Sequence, residues 1–222
     1  MESAMVLFRL DASIRQEGSL SRELGDVVEA EWSASHPDAT IVRRHVGVDP
    51  VPAHAWAAAV SAGVTAPEQR TTAQRDAVAL AATFVDELVE ADAFLFAVPL
   101  YNFGVSQHFK SWVDLVVTDE RMQPGATTLR DRPAVLATVQ GGNYRDGTPR
   151  EGWDHATGWM RRILADVWGM DVRVVQREFT LVGVNPALDQ FADAAAEIAR
   201  ESHAQALEHG RFLADALSRA AA

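Results

Sequence analysis

The sequence predicts an α/β protein, a parallel sheet with helices on both faces. Three observations carry that reading. Short apolar runs alternate with helix-length amphipathic stretches along the chain. Ala93–Val98 (AFLFAV) and Pro133–Val139 (PAVLATV) are almost wholly apolar, as in strands covered on both sides. The stretches between successive strands are long enough for right-handed helical crossovers.

Met5–Leu10 reads as the first strand, short, apolar and followed by polar residues. Ser19–His36 reads as an amphipathic helix, with Leu20, Leu24, Val27, Val28 and Trp32 at helical spacing and Pro37 marking its end. Thr40–Val46 alternates and is β-branched, a second strand. The proline-bearing stretch Val48–Pro67 reads as an excursion with a short Ala-rich helix near His54–Ser61. Glu68–Ala91 is a helix and Ala93–Val98 the third strand. Pro99–Gly104 reads as a loop, because a proline directly after a strand stops the ladder. Val105–Val117 is the next helix, and Thr118–Arg132 a polar loop. Pro133–Val139 is the fourth strand. Trp153–Trp168 is a helix ended by Gly169. Asp171–Glu178 is the fifth strand and Leu188–Ala220 the last helix.

Composition excludes several classes of function. The 222 residues carry a formal net charge of −11 and no cysteine. Disulfides, thiolate catalysis and cysteine-ligated metals are therefore out. An acidic chain is a poor partner for nucleic acid or an anionic membrane. No apolar run approaches the roughly 20 residues that span a bilayer, and no secretory leader is recognisable, so the expected location is cytoplasmic. The histidines show no ligand spacing, and no metal is expected. The length fits a single domain over residues 1–222.

In a doubly wound sheet, ligands sit beyond the carboxyl ends of the strands, where strand order reverses. That points to three loops. The loop after the first strand holds Ser13, Arg15, Gly18 and Ser19-Leu20-Ser21 at a helix mouth, where free amides favour an anion. An ordinary serine N-cap would read the same way. Asp11 beside it calls for an offsetting cation, Arg15 or another. The loop after the third strand, Pro99-Leu100-Tyr101-Asn102-Phe103-Gly104, offers flat apolar surface and one amide, suited to a planar ring. Aromatics buried as packing would look alike. The loop after the fourth strand, Gln140-Gly141-Gly142-Asn143-Tyr144, permits close backbone approach, or is a simple glycine turn. Taken together, a phosphate joined by a short chain to a planar ring describes FMN.

These residues also resemble a known family. Ser13…Ser19-Leu-Ser21, PLYNFGVSQHFKSWVD (Pro99–Asp114, with Lys110 and Asp114), GGNY (Gly141–Tyr144) and DPVP (Asp49–Pro52) are similar to motifs of the FMN-dependent NADH-azoreductases, which are flavodoxin-like quinone reductases. The resemblance implies a flavodoxin-like five-stranded sheet of order 2-1-3-4-5 and a homodimer with FMN near the subunit interface. It implies that Ser13, Ser19 and Ser21 hold the phosphate. Leu100, Tyr101, Asn102 and Phe103 would line the isoalloxazine, and Gly141, Gly142 and Tyr144 would meet its pyrimidine end. Tyr144 stands where many members have His. Val117–Arg130 (VTDERMQPGATTLR) replaces a segment that helps roof the flavin in the family.

The implied activity is hydride transfer from NADH or NADPH through FMN to a quinone, azo or related aromatic acceptor, ping-pong at one pocket, with the cofactor carrying the hard chemistry. Tyr144 and Asn102 are the candidate catalytic side chains. The alternatives are an NAD(P)H:FMN reductase supplying reduced flavin to a partner, and a flavin-binding regulatory protein without turnover. Trp153 and Trp159 could roof the flavin, His108 could face the pocket, and Arg121 or Arg145 could meet the dinucleotide phosphates.

Overall fold

The computed structural model describes residues 5–220, with side chains through residue 216. The elements in order are β1 (Val6–Asp11), α1 (Leu20–Ser35), β2 (Thr40–His45), α2 (Ala55–Gly63), α3 (Thr72–Glu90), β3 (Ala93–Tyr101), β4 (Gly104–Val105), α4 (Gln107–Val116), β5 (Pro133–Val139), α5 (Thr157–Arg161), β6 (Asp171–Arg177) and α6 (Ala192–Ala220). The sheet order is β2-β1-β3-β5-β6, all parallel, with β4 pairing antiparallel to the end of β3. Leaving the two-residue β4 out of the count, this is the expected 2-1-3-4-5.

Alternation along the strands sends side chains to two cores. Phe8, Leu10, Phe94, Phe96 and Leu136 point to the face covered by α2–α5, where Phe109, Trp112 and Trp168 join them. Leu7, Ala93, Leu95, Val135 and Ala137 point to the opposite face, against Leu24, Val28 and Trp32 of α1 and Ala206 and Leu213 of α6. β3 and β5 are buried throughout apart from Tyr101, as their continuous apolar runs require.

Five boundaries differ from expectation. β3 does not stop at Pro99. It runs on in register, Pro99 opposite Val139, to Tyr101. Ala97 turns its carbonyl to the Ala12 amide at 3.0 Å on the β1 side. By alternation Pro99 faces that same side, where β1 has already turned away, so its missing N–H removes no ladder bond. The Pro99–Gly104 segment is thus a hairpin, and Val105 belongs to β4, not to the helix.

The helix expected over Trp153–Trp168 begins only at Thr157, because the Asp154 carboxylate accepts from the Ala156 and Thr157 amides, both at 2.9 Å. Its second half is π-helical over Arg162–Val167, and Gly169 at φ 74° ends it as expected. The last helix is preceded by a 3₁₀ segment, Pro186–Phe191. The helix expected from Glu68 starts at Thr72, where Thr71 and Gln74 form a reciprocal capping box.

Of the charged residues buried among the described ones, Arg9, Asp11 and Glu178, the arginine is the most enclosed. Arg9, in the middle of β1, is 2% exposed and faces α1. Its guanidinium meets Asp11 at 3.1 Å, Asp26 at 2.7 Å and Glu29 at 2.9 Å. Gly25 makes the room: a Cβ there would lie 3.3 Å from the guanidinium. Burial works against the Arg9 charge, but Asp11, Glu29 and Asp26 outweigh it and raise its pKa. Replacing Arg9 with Ala strands Asp11 without its partner. We expect a loss of about 3 kcal/mol, read from the denaturant midpoint, and Arg9→Lys should recover only part of it, since a compact ammonium cannot reproduce the spread Nε, Nη1 and Nη2 donors of the guanidinium.

Candidate functional site

A cavity of about 410 Å³ opens at the carboxyl ends of β1, β3 and β5. All three loops singled out by the topology line it. Of the residues named from sequence, Ser13, Arg15, Ser19, Leu20, Ser21, Pro99, Leu100, Tyr101, Asn102, Phe103, Gly141, Gly142 and Tyr144 surround it, and Gln140 does not.

One end is polar. Ser19 caps α1, its hydroxyl accepting from the Arg22 amide, and lies 3.3 Å from the Ser21 hydroxyl. Both serines are buried. The Leu20 and Ser21 amides, at the helix mouth, have no protein acceptor among the described residues. Arg22 reaches back to the Arg15 and Gln16 carbonyls at 2.9 and 2.6 Å and so holds the loop closed. Gly47 lets the segment after β2 pass against this loop: a Cβ there would lie 2.1 Å from the Ser13 carbonyl oxygen. Tyr101 reaches further than a ring-lining role requires. Its hydroxyl accepts from the Ile14 amide at 3.2 Å and lies 3.4 Å from the Ser13 hydroxyl, joining the two loops.

The other end is aromatic. Asn102 and Phe103 are the two residues of the β3–β4 turn, at φ 49° and 65°. Positive φ at both positions marks a type I′ turn. Asn tolerates it, while Phe carries a cost of about 1 kcal/mol. The turn turns Phe103 outward, where it meets Tyr144 edge-on at 6.1 Å and Trp153 edge-on at 5.2 Å.

Gln140 is a strut instead. It is buried, and its amide donates to Asp154 at 2.6 Å while its carbonyl accepts from Thr180. It orients the glycines that follow it.

One wall of the cavity has little signal in the sequence. The segment after β6 brings Thr180, Leu181, Asn185 and Leu188 to the cavity. The Leu181 amide donates to the Gly141 carbonyl at 3.2 Å, and a Cβ on Gly141 would lie 2.7 Å from Leu181 Cδ1. Its one local signal is the turn chemistry of Gly183 and Asn185-Pro186. Arg150, inside the polar turn 145–152, has little signal too.

Other expected residues lie elsewhere. Arg121 binds Asp119 and Asp86, and Arg145 binds Glu178. Residues 117–132 touch none of the cavity. They connect α4 to the amino end of β5, where Met122 and Leu129 are buried, so this segment roofs nothing in this chain. Asp11 is offset by Arg9, not by Arg15. Lys110 and Asp114 form an ion pair on α4 at 2.5 Å, away from the cavity. None of His108, Trp153 and Trp159 lines it, although Trp153 packs against the cavity-lining Phe103.

His45, at the end of β2, accepts from the Arg22 guanidinium. Burial, then the charge of Arg22, hold its imidazole below the ordinary value, with Asp11 opposing and Arg9 adding to the effect. The unfolded chain therefore takes up a proton below about pH 6.5 that the folded chain refuses. This contribution to stability is complete above that pH and declines as pH falls from there toward the depressed value. The melting temperature should drop between about pH 7.5 and pH 5.5, and His45→Gln should lessen the drop. An identical drop in both proteins would remove this account.

The family model for the flavodoxin-like fold matches residues 5–205. A Frankia alni protein named FMN-dependent NADH:quinone oxidoreductase is 43% identical over 191 residues, covering 84% of this chain and 90% of the relative. A Streptomyces coelicolor protein of the same name is 30% identical over 213 residues, covering 96% of each. Among solved structures, an azoreductase from Bacillus anthracis superposes with a TM-score of 0.73 at 21% identity, covering 96% of this chain and all of that one. A second Bacillus anthracis structure, an FMN-dependent NADH-azoreductase in complex with FMN, gives the same TM-score at 14% identity. These two show likeness of fold. By sequence and by architecture, the chain belongs to the flavodoxin-like family of FMN-dependent NADH:quinone oxidoreductases.

Proposed function

We propose that this chain binds FMN in the cavity described above and passes electrons from NADH or NADPH to a quinone, azo or related aromatic acceptor. The carrying observation is the division of one cavity into a polar end and an aromatic end. The names of the relatives support the same reading.

The residues present fit the group. Buried hydroxyls of Ser13, Ser19 and Ser21, with the unpaired amides of Leu20 and Ser21, make a cradle for a dianionic phosphate. Arg15, exposed at the same end and without an ion-pair partner among the described residues, adds a positive charge. Leu100–Phe103 on one side and Gly141, Gly142 and Tyr144 on the other would hold the ring system. FMN, when bound, supplies the group that takes up a hydride and gives up electrons. The protein's own part is placement and charge. Tyr144 offers a hydroxyl and Asn102 an amide at the aromatic end, donors for negative charge that develops there. The net reaction consumes NADH, one proton and a quinone, and yields NAD⁺ and a hydroquinone. Donor and acceptor would share the aromatic end of this one cavity and so bind in turn.

The purified protein should be yellow or become so with added FMN, and NADH should bleach it without oxygen. Protein that binds no FMN sinks the proposal. Binding without oxidation of NADH by menadione would favour a non-catalytic role, and turnover of free FMN a flavin-supplying one. Ser21→Ala should raise the FMN dissociation constant about tenfold, as expected for one charge-assisted hydrogen bond, and should leave riboflavin binding unchanged.

We also expect a homodimer. Trp56, Val60 and Val64, each at least half exposed, recur at helical spacing along α2 and its end. Sedimentation velocity should show twice the chain mass, and a monomer at all concentrations would count against it.

A further inference from the structure

Arg150 combines three features that no other described residue shares. It lines the cavity at the aromatic end, its guanidinium near Gly142. It stands over the Phe103 and Trp153 rings, 5.9 and 5.8 Å from their centroids. It has no carboxylate within ion-pair distance among the described residues, whereas Arg145 nearby is taken by Glu178 at 2.6 Å and Arg177 lies 3.7 Å from Glu23.

We propose that Arg150 is a specificity residue that anchors the anionic group of the second occupant of the cavity, the flat molecule that delivers or accepts electrons. This rests on the FMN reading above. A guanidinium held within cation–π distance of two rings, with no carboxylate partner, has N–H groups to offer a phosphate, carboxylate or sulfonate. The cofactor's phosphate has its own place at the serine end, beside Arg15, so it leaves Arg150 unclaimed. The need for such a cation follows from charge. With a net charge of −11 the chain repels anions at long range, and a local arginine reverses this at the mouth. A planar substrate would lie along the edge formed by Phe103 and Trp153 with its anionic group toward Arg150. The anion has two possible sources, the pyrophosphate of the dinucleotide or an acidic group on an aromatic acceptor.

The test separates the half-reactions by anaerobic stopped flow on the FMN-loaded protein, wild type against Arg150→Gln and Arg150→Lys. NADH probes the reductive half. A naphthoquinone sulfonate and neutral menadione probe the oxidative half. For Arg150→Gln, the apparent dissociation constant of at least one anionic substrate should rise about tenfold, with menadione changing less than about twofold. Arg150→Lys should keep part of the affinity. A rise for NADH alone assigns the anion to the dinucleotide, a rise for the sulfonate alone assigns it to the acceptor, and a rise for both assigns a shared anchor. FMN affinity and melting temperature should stay unchanged. The inference is overturned if neutral and anionic substrates weaken equally, if none changes, or if FMN affinity falls instead. Wild-type protein that binds FMN and reduces menadione, beside an indistinguishable Arg150→Gln, sinks this inference and leaves the FMN reading standing. Wild-type protein that binds no FMN sinks both.

Discussion

β1 and β3 lie side by side, but the chain leaves them in opposite directions. From β1 it passes to α1 on one face of the sheet, and from β3, through the β4 hairpin, to α4 on the other. Two neighbouring strands whose connections diverge leave a crevice between their carboxyl ends. Every feature of the site depends on that divergence. The last bond between the strands is the Ala12 amide to the Ala97 carbonyl, and beyond it the serine loop and the aromatic hairpin separate. Three ties set their spacing: Ser106 to the Ala12 carbonyl, and the Tyr101 hydroxyl to Ser13 and to the Ile14 amide.

The divergence also explains two oddities of local structure. Pro99 sits inside a strand because its neighbour on that side has gone. Asn102 and Phe103 take left-handed backbone because a two-residue turn is the shortest way to reverse β3 into β4, and the register of Leu100 with Val105 leaves no longer one. The strain at Phe103 holds an aromatic ring at the rim, where Tyr144, Trp153 and Arg150 gather around it. Backbone strain concentrated at a ligand-facing turn is a recurring sign of function.

The charges follow a similar economy. Inside, Arg9 balances Asp11 and neighbouring carboxylates under α1, so the polar end of the cavity is not burdened by an unpaired Asp11. Around the cavity, most arginines are spent on structure. Arg22 holds loop carbonyls and Arg145 ties the glycine loop to Glu178 beyond β6, while at the opposite end of the sheet Arg132 gathers the carbonyls at the end of α3. Arg15 and Arg150, at opposite ends, are the cavity-lining arginines left for ligands.

Much of this was legible in the sequence. The α/β class followed from buried apolar runs alternating with amphipathic helices, since a strand covered on both faces can afford few polar residues, whereas the strand order came from the family resemblance. The three loops followed from topology, because strand order places them together whatever their composition. What the sequence could not show were contacts set by distant packing. Gln140 looks like a ligand residue beside two glycines, and only the position of Asp154 makes it a strut. Segment 117–132 looks like a roof by comparison, and only the direction of α4 carries it to the far end of the sheet. Thr180 and Leu181 carry no chemical signature, and they reach the site because their amides donate to the Gln140 and Gly141 carbonyls across the end of β6. Patterning determined which residues are inside and which loops converge, because burial is a local preference summed along the chain. Which of those residues face the cavity was decided by tertiary structure alone, because that depends on partners far away in sequence.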